Sequence, residues 1–226
     1  DYRSTIGTGP WNVTNITTNY QLWDRMTQGG ANGQTIHHIS LRVPSGNGGA
    51  PYQGVDGAML YFRSPDGGTT WDKQDVLIPG LDSTKFDNMS GDAYSIDSKG
   101  DTIAIAYWGI FDDVLLAKSI DNGETWSITV VNDFPIDKYI VDSTSVLCNT
   151  ETSDETGTIL IDNNGIVHLW FGEFIFSDTV LGDGQFSFFP LANGLMYWNE
   201  NMGNKEPVFI AGVIDINGDS TLNIVD

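Results

Sequence analysis

The sequence predicts an all-β fold assembled from repeated four-stranded antiparallel units, and three observations predict it. Apolar residues alternate or run in short stretches that Gly, Asn or Asp interrupts every few positions, and no stretch carries the pattern of a long helix. Thr102-Ile-Ala-Ile-Ala-Tyr-Trp108 and Ile166-Val-His-Leu-Trp-Phe171 are β-branched and aromatic, as strands are, and Leu222-Asn-Ile-Val225 is a shorter alternation. Next, an octapeptide occurs twice: Ser64-Pro-Asp-Gly-Gly-Thr-Thr-Trp71 and Ser119-Ile-Asp-Asn-Gly-Glu-Thr-Trp126 both read Ser-x-Asp-x-Gly-x-Thr-Trp and start 55 residues apart. Finally, Ser95-Ile-Asp-Ser-Lys-Gly100, Leu160-Ile-Asp-Asn-Asn-Gly165 and Val213-Ile-Asp-Ile-Asn-Gly218 each precede an apolar stretch, with Asp97, Asp162 and Asp215 spaced by 65 and 53 residues. Each has the form of a strand, an Asp-x-x-Gly turn and a second strand.

The two patterns interleave. The hairpin at Asp97 is followed 24 residues later by the octapeptide aspartate Asp121. After Asp162 the corresponding place holds Asn199-Glu-Asn-Met-Gly203, a decayed octapeptide with Asn201 in the Asp position and no closing Thr-Trp. A period of about 55–65 residues with four strands is the size of a β-propeller blade. Blade one is therefore expected over residues 36–75, blade two over 92–132 and blade three over 157–210, with an insertion between Glu173 and Leu191. A fourth begins near 211, giving about three and a half blades of a six- or seven-bladed ring. Residues 1–35 are expected to be lead-in sequence or a ring-closing strand, and 36–226 the blades. A closed ring of this period needs about 330–450 residues, so either the sequence is a fragment or other chains complete the arrangement.

Both octapeptides resemble the Asp box of the sialidase and BNR-repeat β-propellers, and the blade spacing extends the resemblance loosely over residues 36–226. The resemblance implies a hairpin turn between the outer two strands of a blade, away from the central channel. The chemistry of the residues agrees with a structural role. A tight turn leaves backbone N–H groups without ladder partners, and a short carboxylate or hydroxyl accepts those bonds locally. Asp66 and Asp121 fit that task, helped by Ser64, Ser119, Thr70 and Thr125. Gly68 and Gly123 permit positive φ, and Trp71 and Trp126 are apolar plugs for the gap between strands or blades.

The resemblance also raises an enzyme hypothesis. Sialidases hold a substrate carboxylate with three arginines, because bidentate binding needs guanidinium groups. This chain has four arginines, Arg3, Arg25, Arg42 and Arg63, and none follows Arg63. Leu41-Arg42-Val43-Pro44 is faintly similar to the family's Arg-Ile-Pro motif, and Arg63 is expected on the outward face of its strand. The triad cannot be completed within these residues, and no catalytic residue is assigned. Other glycosidase chemistry needs only two carboxylates; Glu173, at the end of an aromatic strand, is the most interesting acid, against the simpler reading of a solvated strand-end charge.

Asp215, Asn217, Asp219, Asn223 and Asp226 place oxygen ligands at positions 1, 3, 5, 9 and 12 of a loop that resembles a dockerin or EF-hand calcium site, although position 6 is Ser rather than Gly. Calcium is the only cofactor the sequence suggests, and the same residues also align with the blade hairpins. Phe174, Phe176, Phe186, Phe188 and Phe189 crowd the insertion; they either pack onto their own blade or form a sugar-stacking or subunit contact.

Composition bounds the partners. Thirty acidic against ten basic residues give a formal charge of −20. Such a polyanion repels nucleic acid and anionic lipid and tolerates cations, neutral glycans and salt. No apolar run is long enough to span a bilayer. The single cysteine, Cys148, permits no intrachain disulfide and is expected to be a buried small hydrophobe. Sequons stand at Asn12, Asn15 and Asn88, and the chain starts at Asp1 as a processed product would. The Asn-, Thr- and Asp-rich texture is similar to that of secreted proteins of environmental bacteria. The expectation is therefore an extracellular or surface-attached module that binds a glycan, a protein or copies of itself without a reaction of its own. A sialidase-like glycoside hydrolase whose remaining catalytic residues lie outside this chain is the alternative.

Overall fold

The computed structural model describes residues 8–10, 13, 15–141 and 146–212, with only the backbone described for 146–149 and 189–193. The side chain of Cys148, the sequon at Asn12 and the five oxygen residues from Asp215 to Asp226 lie outside the described residues.

The protein is all-β. Among the described residues twelve strands form three four-stranded sheets, each a meander in chain order. The first holds β1 (Gln21–Gly29), β2 (Thr35–Arg42), β3 (Met59–Ser64) and β4 (Lys73–Leu77); the second holds β5 (Tyr94–Lys99), β6 (Thr102–Tyr107), β7 (Val114–Ser119) and β8 (Ser127–Asn132); the third holds β9 (Val146–Ile161), β10 (Val167–Asp178), β11 (Ser187–Asn199) and β12 (Val208–Gly212). Among the described residues the only helical elements are two single turns, Ser45–Asn47 and Glu200–Met202. No described helix is long and apolar enough to cross a membrane.

The sequence patterns sit at equivalent places in these sheets. Both octapeptides join the third strand of a sheet to its fourth, β3 to β4 and β7 to β8. The turns at Gly100 and Gly165 join the first strand to the second, β5 to β6 and β9 to β10. Asn199-Glu-Asn-Met-Gly203 joins β11 to β12, where an octapeptide would stand; the Asn199 side chain, rather than Asn201, caps that turn by accepting the Asn201 N–H.

Strand boundaries differ from expectation in two places. The first sheet starts at Gln21, inside the expected lead-in, because Met26 and its neighbours pair with His38 and the rest of β2. The third starts at Val146, since β9 runs sixteen residues and pairs with β10 from Val146 to Ile161, with two register slips. The expected insertion is the far end of the β10–β11 hairpin, where Phe176 pairs with Phe188 and Ser177 with Ser187.

The chain divides into two compact units: residues 1–91 with 98–103 and 119–126, and residues 92–97 with 104–118 and 127–226. The first unit buries Ile39, Leu41, Leu60, Tyr61, Phe62 and Phe86. β3 is buried on both faces, which explains its unbroken apolar run rather than an alternation. The second unit buries Trp108, Leu115, Val167, Leu169, Phe171 and Trp198, and holds an aromatic core of Phe111, Phe134, Tyr139 and Phe176.

Candidate functional site

The two octapeptides of the first unit make matching sets of bonds. In the first, the Ser64 hydroxyl donates to Asp66 Oδ1 (3.0 Å) and accepts the Gly68 N–H (2.7 Å). Asp66 accepts the Thr70 N–H at 2.7 Å and the Thr70 hydroxyl at 2.8 Å. In the second, Ser119 donates to Asp121 Oδ1 (2.7 Å) and accepts the Gly123 N–H (2.8 Å), while Asp121 takes the Thr125 N–H (2.9 Å) and hydroxyl (2.6 Å). These donors hold both carboxyls below the usual range, Asp121 at about 2, chiefly through the Thr125 hydroxyl. Two consecutive residues are left-handed in each turn: Gly67 and Gly68, then Asn122 and Gly123. Trp71 stands edge-on to His38 and Trp126 edge-on to Tyr61.

Arg63 does not face outward: it is 6% exposed, and its guanidinium is spent on partners within the unit. Nε and Nη2 hold Asp72 (3.0 and 2.6 Å), Nη2 also reaches Glu124 (2.5 Å), and Nη1 donates to the Asn122 carbonyl (2.6 Å). Lys73 completes the group on Glu124 at 2.7 Å. Four acceptors from two turns offset the burial of this cation. Beside it His37 Nδ1 meets the Tyr61 hydroxyl at 2.8 Å. Burial, aided by Arg63, lowers the His37 imidazole to about 4, so it is neutral at pH 7.

A polar groove of about 870 Å³ opens in the same unit, lined by Asn15–Gln21, Asp24, His38, Gln74 and Asp75. Two irregular strands shape it. In β1 the register slips between Leu22 and Arg25, and Trp23 adopts φ 57°, which brings Asp24 Oδ1 to 2.7 Å from His38 Nε2. Gly91 is needed there, since a Cβ at that position would sit 2.9 Å from the Trp23 ring. In β4 the slip falls between the partners of Tyr61 and Arg63, and Asp75 adopts φ 52°. Its carboxylate accepts bonds from the Thr17 hydroxyl (2.7 and 2.9 Å) and Asn19 Nδ2 (2.9 Å). Burial lowers the His38 imidazole against the pull of Asp24, which leaves a neutral ring with Nε2–H on the carboxylate. No motif in the sequence marked this groove, whose lining joins residues 15–21 and Asp24 to His38, Gln74 and Asp75 only through folding.

In the second unit Glu173 is buried on β10 between two register slips, with Asn132 Nδ2 at 3.4 Å from Oε2. Burial, reinforced by repulsion from Glu151, pushes its carboxyl up to about 7, so it is not the solvated charge of the simpler expectation. Phe176 is fully buried and Phe186 stands edge-on to Phe111 at 5.1 Å. Phe174 packs on the same cluster and against Phe188, which is 58% exposed; the Phe189 side chain is not described. Among the described residues no three His, Cys, Asp or Glu side chains converge as metal ligands.

The third sheet is buried on one face and open on the other. Ile159, Leu169 and Trp198 lie in register on the buried face. On the other, Thr158, Trp170, Tyr197 and Val208 stand in one row across all four strands, flanked by Leu160, His168 and Leu195. Trp170 and Tyr197 are half-buried, while Leu160, Leu195 and Val208 are 50%, 39% and 45% exposed.

No family model matches the chain, and no curated protein does. A crystal structure of a protein of unknown function from Dyadobacter fermentans DSM 18053 is similar at 14% identity and a TM-score of 0.46, over 88% of this chain and 56% of that one. This chain thus spans little more than half the length of that protein.

Proposed function

We propose that the chain is a non-catalytic, extracellular β-propeller module of the sialidase-like, Asp-box kind, which assembles through its sheet surfaces. The observation that carries this reading is the open face of the third sheet. A row of Trp170, Tyr197 and Val208 across four strands, with Leu160 and Leu195 beside it, is apolar surface that a partner sheet would cover. Burying each large side chain stabilises by roughly 1.5–3 kcal/mol. β12 lies at the sheet edge with all five residues exposed, and its backbone is a template for a further strand. The occupant is a second copy of this chain.

Repetition supports the propeller form. Arg63 and Lys118 each stand just before the octapeptide serine, and each reaches the third-to-fourth-strand turn of the following sheet. Arg63 holds Asn122 and Glu124 in the first unit, and Lys118 holds Glu200 at 2.7 and 2.9 Å in the second. Consecutive sheets related by one repeated operation would make such repeated contacts.

Sedimentation of the wild-type chain is expected to give a species heavier than the monomer. Val208→Glu and Leu195→Glu, exposed enough to leave the fold intact, shift it to the monomer with an unchanged circular dichroism spectrum. A monomeric wild type at every concentration defeats the reading. A sialidase-like glycoside hydrolase is the second reading, favoured by one observation: Glu173 holds its proton to about pH 7 beside Glu151, as a glycosidase acid does. It requires hydrolysis of aryl glycosides that Glu173→Gln abolishes.

A further inference from the structure

We infer that Asn32 is a site of spontaneous covalent modification, the place where the folded chain converts an asparagine amide to aspartate and isoaspartate. The inference goes beyond the assembly reading and uses neither the third sheet nor the groove of the first unit.

The chemistry is that of an asparagine followed by glycine. The glycine nitrogen attacks the asparagine Cγ. The new N–Cγ bond closes an imide ring, the Cγ–Nδ2 bond breaks, and ammonia leaves with the proton from the glycine nitrogen. Water then opens the ring. Cleavage at one carbonyl gives aspartate; cleavage at the other gives isoaspartate, in which the backbone runs through the former side chain. Asparagine and water become an acid and ammonia, and no oxidant or metal takes part. Glycine favours the attack because no Cβ shields its nitrogen.

Six Asn-Gly pairs occur in the sequence, and the asparagine side chains of four are described, at Asn32, Asn47, Asn122 and Asn164. The side-chain amide must swing onto the next nitrogen, so each bond that fixes either partner slows the reaction. Asn122 is held at both ends. Its Nδ2 donates to Thr35 Oγ1 (3.4 Å), its Oδ1 is shielded from solvent, its carbonyl accepts from Arg63, and the Gly123 N–H is given to Ser119 at 2.8 Å. Asn164 gives its N–H (2.8 Å) and Nδ2 (3.2 Å) to the Asp162 carboxylate, and the Asp162 carbonyl accepts the Gly165 N–H at 3.1 Å. The Asn47 side chain is exposed, but its own N–H and those of Gly48 and Gly49 all bond back to the Pro44 and Ser45 carbonyls. Asn32 stands in the β1–β2 turn with an exposed side chain that has no partner among the described residues. Gly33 sits in open space at φ 62°, and its N–H is held by one turn bond, to the Gly30 carbonyl at 3.0 Å. A bond of that kind at an exposed turn opens readily.

The turn is also a joint. Gly30 donates to the Gly100 carbonyl (2.6 Å), and the Gln34 carbonyl accepts the Gly67 N–H (2.8 Å) of the first octapeptide. Isoaspartate at position 32 lengthens the backbone between those two bonds and loosens both.

The test ages the chain at mildly alkaline pH and maps its peptides by mass spectrometry, with isoaspartate methylation as a second readout. Among the four pairs Asn32 is expected to react first, about tenfold or more faster than Asn122 and Asn164, because each of those must break a further side-chain bond. In urea the four should convert at similar rates, since the fold no longer distinguishes them. The aged wild type should lose Tm, whereas Asn32→Gln aged in the same way should keep it. The inference is overturned if Asn32 reacts no faster than Asn122 and Asn164 in the folded chain, if urea leaves the order unchanged, or if wild type and Asn32→Gln lose Tm equally.

Discussion

The Ser119 hydroxyl is the smallest group on which a whole turn depends. It accepts the buried Gly123 N–H and donates to Asp121, and Gly123 has no room for a Cβ because the Tyr61 hydroxyl lies against it. Ser119→Ala leaves that N–H unpaired and should cost about 1–3 kcal/mol, read as a lower midpoint in urea with an unchanged slope. An unchanged midpoint would mean that water replaces the hydroxyl. Ser64→Ala should cost less, since Gly68 is only partly buried. These roles were legible in the sequence because every partner lies within four residues of the serine. Arg63 was not legible, since Asn122 and Glu124 are 59 and 61 residues away and only folding brings them to it.

Strands and their turns were legible as elements, while the work done by a given position in them was not. Asp162 caps its own hairpin through the Asn164 and Ile166 N–H groups, both at 2.8 Å. Asp97, in the same motif, accepts the Ile161 N–H at 2.7 Å, a partner 64 residues away. The bulges at Trp23 and Asp75 left no trace, because residues other than glycine take positive φ only uncommonly and no glycine marks the place. On β10 the slips on either side of Glu173 coincide with a buried carboxyl, and its titration gives an element-scale prediction. The carboxyl ionises near 7 when folded and near its ordinary 4.5 when unfolded, so the folded state binds more protons between those values. Its contribution is complete below pH 4.5 and is lost as pH rises to 7. Glu173→Gln, which mimics the protonated form, should therefore gain on the wild type by up to about 3 kcal/mol above pH 7 and little at pH 4.5. Thermal melts across that range check it; an advantage that is flat with pH would place the titration elsewhere.

At the scale of the whole molecule the dominant number is the charge of −20. The grouping of strands into three sheets was legible from two short motifs, but charge and the open sheet face bear on association in ways that no motif announces. Several cations are committed locally: Arg63, Lys73 and Lys118 are each tied to carboxylates. With thirty acids to ten bases, carboxylates outnumber the cations three to one, and the net interaction among charges near neutral pH is repulsive. Salt weakens both the pairs and the repulsion, with a screening length falling from about 30 Å at 0.01 M to about 3 Å at 1 M. Repulsion is the more numerous interaction here, and exposed pairs contribute only about 0–1 kcal/mol each. Sodium chloride raised from about 0.01 to 0.5 M should therefore raise Tm by a few degrees at pH 7. The same addition should strengthen self-association, because two copies of one polyanion must approach for the Trp170–Tyr197 row to be covered. Near the sequence pI of 4.1 the net charge vanishes and both effects should fade. A Tm that falls with salt at pH 7 would mean that the Arg63 and Lys118 pairs outweigh the repulsion. Association that weakens as salt rises would require the partner to present cationic rather than like-charged surface.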